Sequence, residues 1–293
     1  MMSNVTIGLA AYNGAVTIGK SIEALLDQSY KNFKLVISDD GSTDNTFQIA
    51  EKYALIDSRI VCIKQPRNLG ALGNFSQVLK LADTEFFMWA SQDDLWSTNF
   101  LEVSILALVK NSHASYTIPH WLCESRRIPV LRRVGLPSMH FLESGDPFER
   151  VLEFTKLPFA SFKDNITYGV YRKDDLFRHT NALEGKVKYF SIGCVHNEFN
   201  VLNMQGIYTP AAILRKRYKN IPPGHILNPI LEILVSTLVK FKFIKRKTAI
   251  YPRYSNSDYV ADLETILSVY GVPQDIHAQV ITINQEKIDK GQL

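Results

Sequence analysis

The sequence predicts an α/β protein: a mostly parallel central sheet with helices on both faces, followed by a small, mainly helical C-terminal extension. Three observations carry that expectation. Short apolar runs alternate with helix-period stretches through the first hundred residues. The runs are nearly continuous in apolar residues, as strands covered on both faces are. The composition also shifts sharply near residue 215, which marks a module boundary.

The elements follow in order. VTIGLA (5–10) is short, apolar and partly β-branched, so it reads as a buried strand, and AYNG as the turn after it. Ile18, Ile22, Leu25 and Leu26 then recur at helical spacing through about Gln28. FKLVIS (33–38) is the second strand. DDGSTDNT (39–46) turns into a helix start, with Asp44 as the expected N-cap because its oxygen can accept from the first free N–H groups. Phe47, Ile49, Ala50, Tyr53 and Ala54 form the next stripe, and RIVCIK (59–64) the third strand. PRNLGALGN (66–74) reads as a Gly-containing loop, Phe75, Val78, Leu79 and Ala82 as a third helix, and EFFMWA (85–90) as a fourth strand.

In a parallel sheet of this kind, ligands sit outside the C-terminal strand ends. Ala11, Tyr12 and Asn13 follow the first strand, Asp39 and Asp40 the second, Arg67, Asn68 and Gly70 the third, and Asp93 and Asp94 the fourth. A lone pair of acids is often a solvated turn or a helix cap. Several polar and acidic crossings on one rim suggest a site instead. Adjacent carboxylates repel unless a cation neutralises them, and hard oxygen ligands suit Mg²⁺ or Mn²⁺, usually together with substrate phosphates. The rim therefore reads as a platform for a metal–diphosphate complex. Neither GxxxxGK[ST] nor GxGxxG occurs, which argues against a P-loop or a standard dinucleotide site.

Bulk properties narrow the class. The 293 residues suit one large domain with an appendage. Cys62, Cys123 and Cys194 are odd in number and widely spaced, which fits a reducing cytosol and neither a disulfide framework nor a zinc site. The N-terminus lacks the pattern of a secretory signal, and no run of about 18 apolar residues suggests a membrane span. The net charge of +4 gives no reason to expect nucleic acid as a partner. Between Ala211 and Arg253, ten Lys or Arg stand against one acid, Glu232, a local +9 that leaves −5 for the remainder. The expected division is therefore 1–215 and 216–293.

The stretch VTIGLAAYNGAVTIGKSIEALLDQSYKNFKLVISDDGSTDNT resembles the opening of family 2 glycosyltransferases, as does NLGALGNFSQVLKLADTEFFMWASQDDLW. Those proteins have the GT-A fold, a Rossmann-like α/β sheet. YN, SDDGSTD, NLG and QDD are specific in combination. Weaker similarity continues through ITYGVYRKDDLF (166–177) and IGCVHNEFNVLNMQGIYTP (192–210). The resemblance implies a nucleotide-diphosphate sugar donor, UDP- or dTDP-linked, and a divalent metal, Mg²⁺ or Mn²⁺. Ala10, Ala11, Tyr12 and Asp40 would hold the nucleoside, with Tyr12 near the base and Asp40 hydrogen-bonding it. Asn13 and Asn68, on the same rim, are further expected nucleotide contacts. Asp93 and Asp94 match the family's DxD-type element, Asp93 toward ribose and both toward metal. The sequence departs from many relatives at Ser91, where they carry a further acid, and that puts metal binding in question.

The implied reaction is inverting transfer to an acceptor hydroxyl, with an Asp or Glu at a helix start as base. The matching stretch is HNEFNVLNM (196–204). Glu198 is the expected base; Asn197 also competes for the family's acid position, and an Asn cannot act as one. A solvated glutamate favoured by the helix dipole is the plainer alternative for Glu198. His196 is either structural or a contact to acceptor or phosphate. Arg172 reads as a surface or packing residue. Arg126, Arg127, Arg132 and Arg133 would be solvated or would meet a phosphorylated or lipid-linked acceptor.

ILNPILEILVSTLVKFKFIKRK (226–247) combines an apolar stripe with a cationic end. It suits either peripheral contact with an anionic bilayer, at the inner face of the membrane, or packing on the main domain. The last forty residues read as a helical pair for packing or dimerisation. Surface polysaccharide or lipopolysaccharide assembly is the family expectation, with a saccharide or lipid-linked saccharide as acceptor. Two other readings stay open: a non-catalytic sugar-nucleotide-binding protein, and a sugar nucleotidyltransferase. The second should show a GxGxR-type loop after the first strand, which AAYNG does not supply.

Overall fold

In a computed structural model of the chain, the parallel strands expected from the sequence form one half of a larger mixed sheet. The structure describes residues 5–125, 132–133, 139–157, 163–182, 194–218 and 256–290. The parallel half is β1 (Val5–Ala11), β2 (Phe33–Asp39), β3 (Ile60–Lys64) and β4 (Phe86–Ser91), in the order β3-β2-β1-β4. Its crossovers are α1 (Ile18–Leu26), α2 (Thr46–Ile56) and α3 (Gly70–Lys80). Val5, Ile7, Leu9, Leu35, Ile37 and Phe86 to Ala90 are all buried. Each large apolar side chain buried this way contributes about 1.5–3 kcal/mol, so consecutive apolar residues fix the strands between two helical layers.

Two local expectations are adjusted. Asn45, not Asp44, is the capping residue of α2. Asp44 still serves the helix start: its Oδ1 accepts from Thr46 N at 3.0 Å and its Oδ2 from Ala15 N at 3.1 Å. The GALGN segment is helical, so α3 begins five residues before the first residue of its expected stripe, Phe75.

Beyond β4 the sheet turns mixed, with β8 (Val170–Arg172), β6 (Tyr116–Ser125), β9 (Gly206–Tyr218) and β5 (Leu95–Trp96) following in that order. The two-residue β7 (Arg132–Arg133) pairs with β6. β8 is antiparallel to both of its neighbours, β6 and β9 are parallel, and β5 is antiparallel to β9. β9 runs through position 215, where the sequence suggested a boundary. Between β5 and β6 runs α4 (Phe100–Lys110). Arg172 has the packing role: its guanidinium donates to Ala114 O at 3.0 Å and Leu108 O at 2.6 Å at the end of α4.

The remaining helices are α5 (Pro147–Lys156), α6 (Lys173–Ala182), α7 (Cys194–Asn203), α8 (Asn256–Val269) and α9 (Gln274–Asp289). Asp146 caps α5 by accepting from Phe148 N at 2.8 Å, with Pro147 at the first helical position. Buried Arg150 ties α5 to α7, donating to Val201 O at 2.9 Å and Leu202 O at 3.2 Å. The C-terminal helical pair is present and packs on the main body. Tyr259, Leu263, Ile266, Leu267 and Val280 share one apolar cluster with Val151 of α5 and Leu202 of α7. Gly271, at φ +61°, ends α8: Val272 N donates to Leu267 O and Gly271 N to Ser268 O, the paired bonds of a left-handed C-cap. Buried Lys287 of α9 donates to Leu157 O at 2.7 Å and also to Thr155 O, at the end of α5. Arg126, Arg127 and the whole basic stretch 226–247 lie outside the described residues.

Candidate functional site

The parallel strands end level. In register, Ala10 stands beside Ser38 of β2 and Ser91 of β4. The residues at these ends line a cleft of about 410 Å³. Ala10, Ala11 and Tyr12 come from β1 and its turn, Asp40 from the end of β2, Asn68 from the loop before α3, and Asn74 and Phe75 from α3. Ser91 and Gln92 come from the end of β4, and Tyr168 closes a 3₁₀ turn, Lys163–Tyr168, on the far side.

Tyr12 is partly exposed and held by its backbone. Gln92 Oε1 accepts from Tyr12 N at 3.0 Å, while Gln92 Nε2 donates to Tyr12 O at 2.9 Å. The neighbouring turn comes so close that a Cβ on Gly14 would lie 2.0 Å from Gln92 Oε1. Only glycine leaves room for that clamp. Asn13, expected among the nucleotide contacts, is turned to another task. It adopts φ +48°, which Asn tolerates better than most residues. Its Oδ1 accepts from Thr43 N at 2.9 Å and its N–H donates to Ser42 Oγ at 2.9 Å. Asn13 thus fastens the first rim turn to the second and is absent from the cleft lining.

The acids after β2 divide their work. Asp39 Oδ2 accepts from Ser42 N at 3.0 Å and shapes the turn. Asp40 lines the cleft, and its Oδ1 accepts from Leu69 N at 2.7 Å. Burial pushes the Asp40 carboxyl above its ordinary range; the Leu69 and Gly70 N–H groups offset part of that push, and Asp39 adds to it. Asn68, also in the lining, accepts from Gly70 N at 2.8 Å and shapes the loop that delivers Leu69 N to Asp40.

The acids after β4 also separate. Ser91, which lines the cleft, donates from Oγ to Asp93 Oδ1 at 2.7 Å; Asp93 itself, like Asn13, is not among the lining residues. Asp94 is 1% exposed and faces the interior, where Lys216 Nζ lies 2.5 Å from its Oδ2. The expectation that both carboxylates grip one metal is corrected by this arrangement. Unit like charges 4 Å apart repel by about 4 kcal/mol near a protein surface, and a divalent ion beside an ammonium fares worse. Among the described residues, no group of three or more His, Cys, Asp and Glu is disposed to hold a metal. The residues present do not fit an ion bridging Asp93 and Asp94.

On the far wall, Thr167 Oγ1, next to Tyr168, donates to buried Asn197 Oδ1 of α7 at 2.9 Å. The Asn197 amide is therefore occupied in packing. Glu198 is the next residue of that helix; its side chain and that of His196 lie outside the described residues. Three contributors escaped the reading of the sequence. Gln92 was visible inside the QDD motif. Asn74, whose Nδ2 donates to Ser38 O at 2.9 Å, and Tyr168 carry no local signal.

The sequence model for Glycosyl transferase family 2 matches residues 6–170. Over 97 residues, the chain is 42% identical to the Escherichia coli UDP-Glc:alpha-D-GlcNAc-diphosphoundecaprenol beta-1,3-glucosyltransferase WfaP, covering 33% of this chain and 38% of that protein. Over 114 residues it is 32% identical to the dTDP-rhamnosyl transferase RfbG of Shigella flexneri, covering 37% and 39% respectively. The matches thus span about two fifths of these relatives' lengths. Among solved structures, S. aureus TarS 1–349 in complex with UDP-GlcNAc matches with a TM-score of 0.56 at 16% identity, covering 99% of this chain and 92% of that one. At that identity the likeness shows the fold.

Proposed function

This chain is a member of glycosyl transferase family 2 with the GT-A fold, and we propose that it transfers a sugar, with inversion, from a nucleoside-diphosphate sugar to an acceptor hydroxyl. The observation that carries the reading is the cleft at the level ends of β1, β2 and β4, lined by Tyr12, Asp40, Asn68 and Ser91, the last of which bonds Asp93. In this reading Tyr12 lies against the base, Asp40 accepts a hydrogen bond from it, and Ala10 and Ala11 let it approach the backbone. Asp93, held by Ser91, takes the ribose. UDP is the first nucleotide to test and dTDP the second, in keeping with the donors named for WfaP and RfbG.

Glu198 is proposed as the base. It would take the proton of the acceptor hydroxyl while that oxygen attacks the anomeric carbon and the diphosphate leaves from the opposite face. No step is assigned to a metal, because the residues do not fit one between Asp93 and Asp94. The acceptor is proposed as a lipid-linked saccharide of surface polysaccharide assembly. The diphosphoundecaprenol acceptor named for WfaP supports that class. No helix among the described residues is long and apolar enough to cross a membrane. Cytoplasmic work at the inner membrane face, with the stretch 226–247 touching lipid, completes the proposal.

The test is transfer from a panel of UDP- and dTDP-sugars to a diphosphate-lipid-linked GlcNAc in detergent, with product configuration read by NMR. Transfer with inversion, reduced about 10²–10⁴-fold in Glu198→Gln with UDP binding retained, is the expected result. Donor binding with neither transfer nor donor hydrolysis across the acceptors would favour a non-catalytic sugar-nucleotide-binding protein.

A further inference from the structure

The register of the outer sheet brings a lysine to the acid that the sequence assigned to a metal. Leu95 pairs with Arg215 and Trp96 with Leu214 in the antiparallel β5–β9 ladder. One step beyond that ladder, Asp94 faces Lys216, and the two are joined at 2.5 Å. Both are held in place. Asp94 O accepts from buried Ser21 Oγ at 2.9 Å, and Asp94 is 1% exposed. Lys216 is 8% exposed, and its Nζ lies 3.9 Å from the centroid of the Tyr168 ring. Tyr168 lines the cleft beside Ser91 and Gln92. The ammonium therefore sits behind one aromatic ring of the cleft wall, with Asp94 as its counter-ion.

We propose that Lys216 is the resident counter-ion of Asp94: it takes the carboxylate that the sequence offered to a divalent ion, so the donor's diphosphate binds without a metal bridged to Asp94. A carboxylate buried against an ammonium is already neutralised, and releasing the lysine to admit an ion would strand a charge in the interior. Ser91 is compatible with this arrangement. It supplies a neutral hydroxyl to Asp93 where many relatives carry a further acid, so fewer negative charges need a cation. The proposal rests on the donor-site reading above.

The experiment pairs two readouts on the full chain. Mn²⁺ affinity is measured by electron paramagnetic resonance in the wild type, Asp94→Asn, Lys216→Met and the double variant. UDP affinity is measured by calorimetry in EDTA and in Mn²⁺. The wild type and Asp94→Asn should bind Mn²⁺ alike, Lys216→Met should gain at least tenfold, and the double variant should lose that gain. The ratio of UDP affinities in Mn²⁺ and in EDTA should agree within twofold between the wild type and Asp94→Asn. A tenfold loss of Mn²⁺ affinity in Asp94→Asn would overturn the proposal, as would a tenfold loss of UDP affinity in EDTA that the wild type shows and Asp94→Asn does not. If Lys216→Met does not fold, the comparison of wild type with Asp94→Asn still decides. If UDP binds under neither condition, the donor-site reading fails, and the Mn²⁺ titrations alone judge Lys216.

Discussion

Replacing Asp40 by Asn is the perturbation that separates a nucleotide contact from a structural one. Asp40 Oδ1 accepts from Leu69 N at 2.7 Å, and the asparagine carbonyl can keep that bond. What changes is the second oxygen, which becomes an NH₂ and a donor instead of an acceptor. A hydrogen bond to a charged acceptor contributes about 1.5–3 kcal/mol, and about 1.4 kcal/mol is tenfold in affinity. UDP affinity should therefore fall roughly 10–100-fold by calorimetry. Stability should move the other way. Burial raises the Asp40 pKa, so the folded state binds this proton more readily than the unfolded state does. By linkage, its contribution is most favourable below the ordinary aspartate pKa and is lost as pH rises through the raised value. In the absence of nucleotide, Asp40→Asn should match or exceed the wild-type Tm at pH 7, and that advantage should vanish toward acid pH. Wild-type UDP affinity in the variant would refute the contact. A collapse of Tm together with lost binding would make Asp40 a structural residue only.

Further outcomes follow from the same geometry. Gly14→Ala places a methyl group where Gln92 Oε1 sits, so the Tyr12 clamp should open with the fold intact. UDP binding should weaken several-fold, with Gln92→Ala giving the same loss in calorimetry; unchanged binding in both would remove the clamp from the account. Lys287→Met strips a buried ammonium from the carbonyls ending α5. At about 1.5–3 kcal/mol for a charged hydrogen bond, and a few degrees per kcal/mol, Tm should fall by roughly 5–10 °C in a calorimetric scan, with UDP affinity unmoved. An unchanged Tm would show that the apolar cluster alone docks the C-terminal pair.

The parallel half of the fold was legible because its signals are local. Ile7 to Ala10, Leu35 to Ile37 and Phe86 to Ala90 are apolar without interruption, and that pattern belongs to strands covered on both faces. The start of α3 was not legible, since two glycines in GALG lower helix propensity and only the surrounding tertiary structure overrides them. The mixed half was hidden for another reason. β8 has three residues, and β6 pairs with β9 across about ninety residues, as in Tyr116 with Gly206. Such pairings follow from no local periodicity.

The site shows the same division. Tyr12, Asp40, Asn68 and Asp93 stand in quotable motifs at strand ends, and the topology rule pointed to their rim. Asn13 belongs to the same motif, yet its amide fastens one turn to the next. Lys216 read as one more charge of a basic segment. Its partner Asp94 is 122 positions away, and only the β5–β9 register joins them. Asp94 was taken for half of a metal site because it adjoins Asp93 in sequence, whereas Asp94 is buried against Lys216 and Asp93 bonds Ser91.

The most direct measurement is a crystal structure of the chain with UDP. Uracil should lie beside Tyr12 and within hydrogen-bond distance of Asp40, with ribose at Asp93 and Lys216 still paired to Asp94. UDP bound away from the ends of β1, β2 and β4, or bound there with Asp40 and Asp93 out of reach, would contradict that placement.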